Sequence, residues 1–257
     1  MRFKCRSILK GKGIGRLLLL NEPFSFLGGV DTKTGELTVA SGRQGESIEG
    51  RIFAFPYGKG STVGSYTIMD LKKNGHLPAA IINASAETIV ATGAVMAGVP
   101  MIDQVDLSLL RDGDRALVDG EYLDMMDLDE RKVVTCILRR KGKILVLKRS
   151  QKVGTNKGKW AGVSGFIERG ERPEETALRE VAEETKITSA RLESVGASFR
   201  VRDGNYVWTI HPFLFEVGDE EPALDWEHTE CKWISTDELA GYDAVPGFLS
   251  VLRSLGL

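Results

Sequence analysis

Cysteine is scarce in this sequence. The 257 residues include three cysteines, Cys5, Cys136 and Cys231, which lie far apart in the chain. Because they form no CxxC pair and no even-numbered set, the sequence gives no disulfide framework and predicts a reduced, cytoplasmic protein. The same count excludes an iron–sulfur cluster held by this chain alone, because such clusters usually need a full set of cysteine thiolates.

Long hydrophobic runs and an excess of one charge are also absent. Apolar runs such as Leu17–Leu20 fall far short of the roughly 20 residues that a membrane-spanning helix needs. No extended apolar stretch follows the first basic residues, so a secretory signal is not expected. The net charge is −2, from 34 basic and 36 acidic residues, and neither half of the chain is strongly basic. We therefore expect neither a nucleic acid nor a membrane as a partner.

Two styles of composition meet near residue 128. The first half is rich in glycine, and its turn residues separate short apolar runs, which is typical of a compact α/β domain built mainly from strands. The charged segment 124–131 lacks a strong strand pattern and is predicted to be a linker or the domain boundary. These observations predict a first domain at residues 1–126 and a second at residues 131–257.

The apolar pattern predicts individual elements in both halves. Strands are expected at 17–20, 36–40, 51–55, 79–83, 115–118, 133–138, 144–148, 207–217 and 232–234. Helices are expected at 65–74, 87–97, 173–186 and 236–240. Thr236 is the predicted N-cap of the last helix. The basic glycine turn at 141–143 predicts a hairpin between its neighbouring strands.

The strongest signal is an acidic helix in the second half. Around the helix predicted at 173–186, apolar residues share one face, and Glu180, Glu183 and Glu184 share the opposite face. Three carboxylates on one face repel one another, and a hard divalent cation such as Mg²⁺, which prefers oxygen ligands, removes that repulsion. For an arbitrary helix, a solvated acidic face without a ligand is the alternative.

The spacing around this helix resembles the Nudix box of the Nudix hydrolases. Gly165 is followed after five residues by Glu171 and, after seven more, by the run Arg179-Glu-Val-Ala-Glu-Glu184. The sequence departs from the family at Lys186, where the family usually has glycine. The resemblance covers about residues 132–257. It implies an α/β/α sandwich with a mixed sheet.

The same resemblance implies a reaction and roles for these residues. Nudix hydrolases cleave a diphosphate that is linked to another moiety, usually a nucleoside. Mg²⁺ held by Glu180, Glu183 and Glu184 would neutralise the diphosphate charge and activate a water molecule. Glu183 and Arg179 are the implied catalytic residues, with Arg179 orienting a carboxylate through a bidentate ion pair.

Several further residues of the second half are open candidates. Either Glu227 or Glu230 resembles the additional acidic residue that many family members use as base or ligand. Either Trp160 or Phe166 is expected to stack on a base, unless it is a packed aromatic near the sheet edge. The basic residues that can contact phosphate, unless they are simply solvated, are Lys148, Arg149 and Lys157. The isolated histidines, expected to be structural or on the surface, are His76, His211 and His228.

The first half carries a glycine-rich turn at 56–65, ahead of a predicted helix. Gly58 and Gly60 let backbone amides approach an anion, and the start of a helix favours negative charge. The hydroxyl donors that the turn adds are Ser61, Thr62 and Ser65. The order of glycine, lysine and serine does not fit a P-loop. A tight strand-to-helix turn without a ligand is the alternative.

Motifs on both sides of this turn resemble the small subunit of aconitase X-type dehydratases, which in archaea include the phosphomevalonate dehydratase small subunit. The motifs lie at 11–15, 20–31, 34–36, 45–50, 74–83 and 99–102. The resemblance covers about residues 2–125. It implies an aconitase-like swivelling β/β/α domain that closes over a larger subunit.

The resemblance also implies a heterodimer in which this chain completes a partner's active site. Ser61, directly after the Gly-x-Gly turn, is the implied base, and the implied substrate-binding residues are Gly58, Gly60, Thr62 and Ser65. The large subunit would carry a 4Fe–4S cluster and most of the site for a small phosphorylated substrate. The secondary candidates for substrate contact, for which turn and cap roles are the alternative, are Asn21, Glu22 and Ser25.

These resemblances together predict a fusion of a hydro-lyase small subunit with a Mg²⁺-dependent Nudix hydrolase. The dehydratase reaction would convert mevalonate 5-phosphate to an anhydromevalonate phosphate, a step toward isoprenoids. The alternative is a nucleoside-diphosphate-derivative hydrolase whose first half is a regulatory module. A third hypothesis, in which both halves only bind ligands, is disfavoured because a sensor does not need all three carboxylates.

Overall fold

The computed structural model describes all 257 residues of the chain. They form two compact units, Met1–Asp129 and Glu130–Leu257, each with its own sheet and hydrophobic core. Both units are mixed α/β, which confirms the fold class expected from the sequence. No helix in the chain combines the length and the apolar character that crossing a membrane requires.

An eight-stranded sheet forms the first unit, in the order β1-β8-β7-β3-β4-β5-β6-β2. Its strands are β1 Arg2–Lys4, β2 Arg6–Leu9, β3 Lys12–Leu19, β4 Ile52–Phe55, β5 Ala80–Asn83, β6 Met101–Asp103, β7 Arg115–Asp119 and β8 Tyr122–Met125. Strands β3 to β6 run parallel, and the other pairs are antiparallel. The sheet is therefore mixed, with its parallel part in the middle.

The N-terminal segment joins the two ends of this sheet. Strands β1 and β2 are separated by Cys5 alone, yet β1 pairs with β8 and β2 pairs with β6. The ring of strands is therefore closed through this segment. An ion pair supports the junction: Arg6 Nε donates to Asp103 Oδ1 over 2.7 Å, and the Asp103 side chain is fully buried.

Helices, two 3₁₀ turns and an aromatic cluster complete the first unit. The helical elements are α1 Phe26–Gly29, α2 Val63–Asn74 and α3 Thr88–Ala97, with 3₁₀ turns at Val39–Ser41 and Leu107–Leu109. Helices α2 and α3 place apolar side chains in the same core as strands β4 and β5. Neighbouring rings in this core lie 4.9 to 6.1 Å apart, and they belong to Phe24, Phe26, Phe53 and Phe55.

A second eight-stranded sheet forms the other unit. Its strands are β9 Asp129–Arg140, β10 Lys143–Arg149, β11 Trp160–Ala161, β12 Val163–Phe166, β13 Arg191–Val195, β14 Phe199–Asp203, β15 Tyr206–Glu216 and β16 His228–Ile234. The main path is β11-β10-β9-β15-β13, while β12 pairs with β9, β14 with β15 and β16 with β10. The helical elements are α4 Pro173–Thr185, α5 Phe248–Ser254 and a 3₁₀ helix at Thr236–Gly241.

Helices cover both faces of this sheet. Along β9 the side chains of Val134 and Cys136 belong to a core with Val181 of α4, while Ile137 belongs to a core with Phe248 of α5. This alternation follows from the two-residue period of a strand. It produces the α/β/α layering that the resemblance to the Nudix box implied.

Most of the elements predicted from the sequence are present. The predicted ends of α2 and α3 agree with the structure, because Gly75 and Gly98 adopt positive φ directly after these helices. The strand predicted at 36–40 was wrong, because 36 and 37 make only isolated bridges and Val39–Ser41 is a 3₁₀ turn. The N-cap of the 3₁₀ helix at 236–241 is Ser235 instead of Thr236.

The boundary between the two units, at Asp129 and Glu130, falls within the segment 124–131, but that segment is not an extended linker. Strand β8 extends to Met125 and β9 begins at Asp129, so residues 126–128 alone separate the two strands. The charged residues of this segment suggested a linker, but they form ion pairs with residues of the strands: Asp124 pairs with Arg2 and Asp127 pairs with Arg115.

Helix α4 ends at Lys186 in the left-handed conformation, with φ at 59°. This conformation favours glycine, because a Cβ atom is crowded there. Lys186, the one departure from the Nudix box, therefore has the backbone conformation expected of the glycine that the family usually has at this position. The Lys186 ammonium donates to the carbonyl oxygen of Glu183 over 2.9 Å, which offsets part of the strain.

Substituting Lys186→Gly is expected to raise the free energy of unfolding of the second unit by about 1 kcal/mol, because it removes this strain. All four tryptophans lie at 160, 208, 226 and 233, within the second unit. Urea unfolding followed by tryptophan fluorescence therefore reports on this unit. Lys157→Gly, at an exposed position without positive φ, is the control and should bring no gain. A Lys186→Gly variant that is no more stable than wild type would contradict the strain.

Candidate functional site

The glycine turn of the first unit depends on close packing. A Cβ atom on Gly58 would overlap the carboxyl group of Glu87, which caps helix α3 by accepting from the backbone nitrogens of Ile89 and Val90. Gly60 has φ at 105°, and a Cβ there would lie 2.8 Å from Ser25 Oγ. Both glycines are therefore required by the local geometry, and the second brings Ser25 beside the turn.

Ser61 lies exposed at the end of this turn, just before helix α2. Its hydroxyl accepts a hydrogen bond from the backbone nitrogen of Val63 over 3.2 Å. Thr62 is the N-cap residue, and its side chain makes no capping hydrogen bond. Ser65 is buried instead, and its hydroxyl donates to the carbonyl oxygen of Thr62 over 2.8 Å. Ser61 and Thr62 thus lie exposed at a helix start, whereas Ser65 is buried.

The secondary candidates of the first unit separate in space. Asn21 and Glu22 line a cavity of about 480 Å³ together with Arg43 and Asp112. Ser61 is not among its lining residues. Arg43 is held there by ion pairs to Glu46 and Asp112, so the cavity is a network of mutually satisfied charges.

The second unit brings the acidic residues of α4 together around one arginine. Arg179 Nη1 lies 2.8 Å from Glu180 Oε1 and 3.2 Å from Glu183 Oε2. On its other side, Arg179 Nε donates to Glu171 Oε1 over 3.2 Å. The predicted ion pair between Arg179 and a box carboxylate is therefore formed chiefly with Glu171.

These carboxylates have different electrostatic environments. The Arg179 guanidinium, the Thr176 hydroxyl and the Glu168 backbone hold the pKa of Glu171 at about 2. Burial raises the pKa of Glu184 well above its usual range, and the nearby charges of Glu180 and Glu227 raise it further. Burial also raises the pKa of Glu180, although the charge of Arg179 lowers it. Glu180 and Glu184 thus have too little positive charge nearby to offset their burial, whereas Arg179 supplies that charge to Glu171.

Glu180 lies directly over Gly165 on strand β12. A Cβ atom on Gly165 would overlap the Glu180 carboxyl group, so this position of the Nudix box has to be glycine for α4 to approach the strand. Both residues line a cavity of about 370 Å³, together with Arg179 and Glu227. The box therefore forms one wall of an open cavity.

The donor set fits a divalent cation in charge and in atom type. The Glu184 carboxylate is buried with an unpartnered oxygen, so its negative charge is uncompensated, which is the condition that a cation would relieve. In this arrangement no three acidic, histidine or cysteine side chains converge on one point. The reason is that Glu180 and Glu183 both turn toward Arg179. Binding a cation requires these two carboxylates to exchange that partner for the ion.

The structure separates the alternatives that the sequence left open in this unit. Glu227 lines the cavity, and burial raises its pKa. Glu230 does not line it, and its carboxylate accepts from Lys148 over 2.7 Å. Among the basic candidates, Arg149 lines the cavity and Lys148 and Lys157 do not. The geometry thus favours Glu227 and Arg149 for roles in the cavity.

The aromatic candidates also differ in position. Trp160 is buried and makes an edge contact with Tyr242, with ring centroids 5.1 Å apart, so its faces are not open to a ligand. Phe166 is half exposed and lines the cavity. Its ring lies 5.8 Å from that of Trp208, which also lines the cavity. Phe166 is therefore the open aromatic surface of the pair.

Two functional candidates were missed in the sequence. Trp208 lies on β15, far from the box along the chain, and its alternation with buried Val207 and Thr209 was the signal that it faces the other side of the strand. His228 was expected to be structural or on the surface, yet its imidazole is buried beside Glu184, with 3.7 Å between Nδ1 and Oε2. No periodic pattern marks His228, because it follows an irregular loop.

Comparisons with known proteins divide the chain at the same place. The family model for the aconitase X swivel domain matches residues 2–125, and the NUDIX domain model matches residues 129–253. The phosphomevalonate dehydratase small subunit of Thermococcus onnurineus is 55% identical over 122 residues, which cover 47% of this chain and 94% of that protein. Its counterpart from Thermococcus gammatolerans is 51% identical over 130 residues, covering 50% of this chain and 99% of that protein.

Solved structures match each half separately. The holo-form crystal structure of Thermococcus kodakaraensis aconitase X is 49% identical and covers 49% of this chain and 98% of its own, with a TM-score of 0.48. The crystal structure of the MutT protein from Methanosarcina mazei is 26% identical and covers 50% of this chain and 94% of its own, with a TM-score of 0.44.

The chain is accordingly a two-domain enzyme in which a swivel domain precedes a Nudix domain. Its first half belongs to the family of phosphomevalonate dehydratase small subunits, to which it is similar over nearly the whole length of those proteins. Both resemblances noted in the sequence are thereby confirmed. The family members cover about half of this chain, so the Nudix domain is additional to them.

Substituting Gly165→Ala is expected to lower the free energy of unfolding of the second unit by about 1 to 3 kcal/mol, because the new methyl group overlaps Glu180. Urea unfolding followed by tryptophan fluorescence measures the change. Gly154→Ala is the matched control, since a Cβ at Gly154 meets no atom within 4 Å and needs no unusual φ. Equal stability of the two variants would show that α4 does not approach β12 as described.

Proposed function

We propose that the second unit is a Mg²⁺-dependent hydrolase of diphosphates linked to a nucleoside or a similar planar group. The observation that carries this proposal is the pair of mutually repelling carboxylates of Glu184, which is buried and whose Oε2 atom has no hydrogen-bond partner, and Glu180, which is half-buried and lines the cavity together with Arg179. A divalent cation at Glu180, Glu183 and Glu184 would neutralise diphosphate charge and lower the pKa of a bound water molecule. The match of residues 129–253 to the NUDIX domain supports the same proposal, because the resemblance to that family implies a divalent metal.

The chain's own residues have separable roles in this reaction. Arg179 holds Glu171 in place, and this contact can persist while Glu180 and Glu183 exchange Arg179 for the ion. Glu183 is the most exposed of the three acidic residues and is the one we assign to catalysis. Glu227 lines the cavity, burial raises its pKa, and we assign it as the residue that accepts a proton from water. Arg149 can bind the phosphate groups, because it lines the same cavity.

The aromatic and apolar lining of the cavity favours a planar, apolar group on the substrate. Phe166 and Trp208 line it with ring centroids 5.8 Å apart, and the apolar side chains of Val201 and Ile210 line it as well. Aromatic rings prefer stacked or edge contacts with other rings. A nucleobase satisfies both requirements, with its diphosphate directed to the acidic end.

Substituting Glu183→Gln or Glu184→Gln is expected to reduce Mg²⁺-dependent hydrolysis at least about 100-fold, because each removes a charged oxygen from the proposed cation site. The assay uses the full chain with a panel of nucleoside diphosphate derivatives and measures released phosphate products. Glu174→Gln, at an exposed position on the same helix, is the control and should keep full activity. Full turnover in the two variants would refute the assignment.

We infer that the first unit is the small subunit of a phosphomevalonate dehydratase. It would pair with a separate large subunit that carries a 4Fe–4S cluster and would remove water from mevalonate 5-phosphate to give an anhydromevalonate phosphate. The support is the similarity to proteins with that name over nearly their whole length. The scattered cysteines of this chain agree with a cluster held elsewhere. A reduced cytoplasmic location follows from the same cysteine usage.

Ser61 is the residue that we assign as the base of this reaction. A serine hydroxyl is a weak base, but its alkoxide is stabilised where backbone N–H groups point at it, as at the start of helix α2. The Ser61 oxygen already accepts from the backbone nitrogen of Val63. Gly58, Gly60 and Thr62 would bind the substrate phosphate or carboxylate through the turn backbone. When bound, the partner's cluster would supply Lewis-acid assistance to the departing hydroxyl group.

Exposed apolar side chains near this turn support a partner. Tyr57, Val63 and Tyr66 flank Ser61 in the chain and are each about half exposed or more. Such a grouping at a site that is otherwise open to water suits burial against a second protein. The alternative, in which the first unit only regulates the hydrolase, gives these residues and Ser61 no common purpose.

Substituting Ser61→Ala is expected to lower dehydration at least about 100-fold without loss of subunit association, because the base is removed and the turn is kept. The experiment is anaerobic co-expression with the large subunit and an assay of product from mevalonate 5-phosphate. Ser47→Ala is a matched control, since Ser47 Oγ also accepts from the backbone nitrogen two residues on, that of Glu49. Unchanged dehydration in Ser61→Ala would end this assignment.

A further inference from the structure

His228 is a buried histidine that the proposed reaction does not yet use. It begins strand β16, where it pairs with Arg149 across a local register shift, and its side chain is 1% exposed. The preceding residue is fixed as well, because the carbonyl oxygen of Glu227 accepts from the backbone nitrogen of Ser150 over 2.7 Å. The imidazole therefore has a defined place behind the wall of the cavity.

Two carboxylates face the same ring nitrogen. His228 Nδ1 lies 3.3 Å from Asp225 Oδ1 and 3.7 Å from Glu184 Oε2. Carboxylate oxygens are acceptors when ionised, so the proton of the ring belongs on Nδ1. Asp225 also accepts from the backbone nitrogen of Glu227 over 3.0 Å, which anchors it. The imidazole is thus held by Asp225 with its N–H directed between the two acids.

The oxygen of Glu184 that faces His228 lacks a hydrogen-bond partner. This Oε2 atom is buried without a hydrogen bond, although the Ser164 backbone supplies one to the carboxylate. The gap between Oε2 and Nδ1 exceeds a normal hydrogen bond by less than about 1 Å. A small rotation of the Glu184 side chain would close it and leave the carboxylate held at both ends.

We propose that His228 is a positioning residue whose Nδ1–H orients Glu184 toward the proposed divalent cation. The inference rests on the proposed function of the second unit and adds a residue to it. A ligand that has its free oxygen fixed by a neighbouring donor binds a metal ion more tightly, because fewer side-chain conformations are lost. Asp225 completes the arrangement by fixing the imidazole.

The test measures the affinity of the full chain for Mn²⁺. Binding is detected by electron paramagnetic resonance, as a decrease in the signal of unbound Mn²⁺. Asn places an amide nitrogen where Nδ1 was, whereas Gln places one near Nε2 and Leu has no donor. We therefore expect His228→Asn to bind Mn²⁺ within about threefold of wild type. His228→Gln and His228→Leu should bind at least about tenfold more weakly.

Controls separate this role from folding and from the proposed reaction. His211→Asn changes a histidine on β15 that has no part in the site, and it should leave Mn²⁺ affinity unchanged. In hydrolysis, the deficit of His228→Gln should shrink as Mg²⁺ is raised, while KM for the substrate stays constant. Tryptophan fluorescence verifies that each variant is folded, and His228→Gln carries the test if His228→Leu is not.

Three outcomes would overturn the inference. The first is equal Mn²⁺ affinity in His228→Gln and wild type, and the second is a deficit in His228→Asn as large as in His228→Gln. Either leaves the hydrolase proposal intact, because wild type still binds the ion. The third is a wild-type chain that binds no Mn²⁺, which refutes the cation site itself.

Discussion

Carboxylates that crowd together in a partly buried space need positive charge nearby, and the second unit is organised by that need. Arg179 supplies it to Glu171, which stays ionised at low pH, and shares what remains with Glu180 and Glu183. Glu184 receives none, and its Oε2 atom has no partner. Gly165 keeps α4 close enough to β12 for this crowding to persist. The repulsion thus creates, within the fold, a place that favours a cation.

The parts of this site that lie on one helix could be predicted from the sequence, because helical spacing alone puts Glu180, Glu183 and Glu184 on one face. The remaining parts come from other strands. Glu227 and Glu230 looked equivalent along the chain, and only the pairing of β16 with β10 shows that Glu230 meets Lys148. The alternation along β15 shows which face Trp208 occupies, but its position beside the box, like that of His228, depends on tertiary contacts.

In the fold, too, features set by local sequence could be predicted, and features set by distant contacts could not. Helices that end at a glycine were predictable because the left-handed conformation selects that residue, whereas α4 reaches the same conformation with Lys186. The strand expected at 36–40 had an alternating pattern but no neighbour to pair with along its length. Short strands such as β1 and β2 were not predicted, since their pairing partners are about a hundred residues away in the chain.

That distant pairing has a consequence for how the first unit matures on the ribosome. Within this unit, residues 2–9 emerge before their neighbours in the finished sheet, at 101–103 and 122–124, are synthesised. The sheet ring cannot be completed until residue 124 has been translated, so non-local closure is the slow event. During that interval the two leading strands have unpaired edges. Their short length and basic side chains, Arg2, Lys4 and Arg6, suit them to remain soluble while they wait.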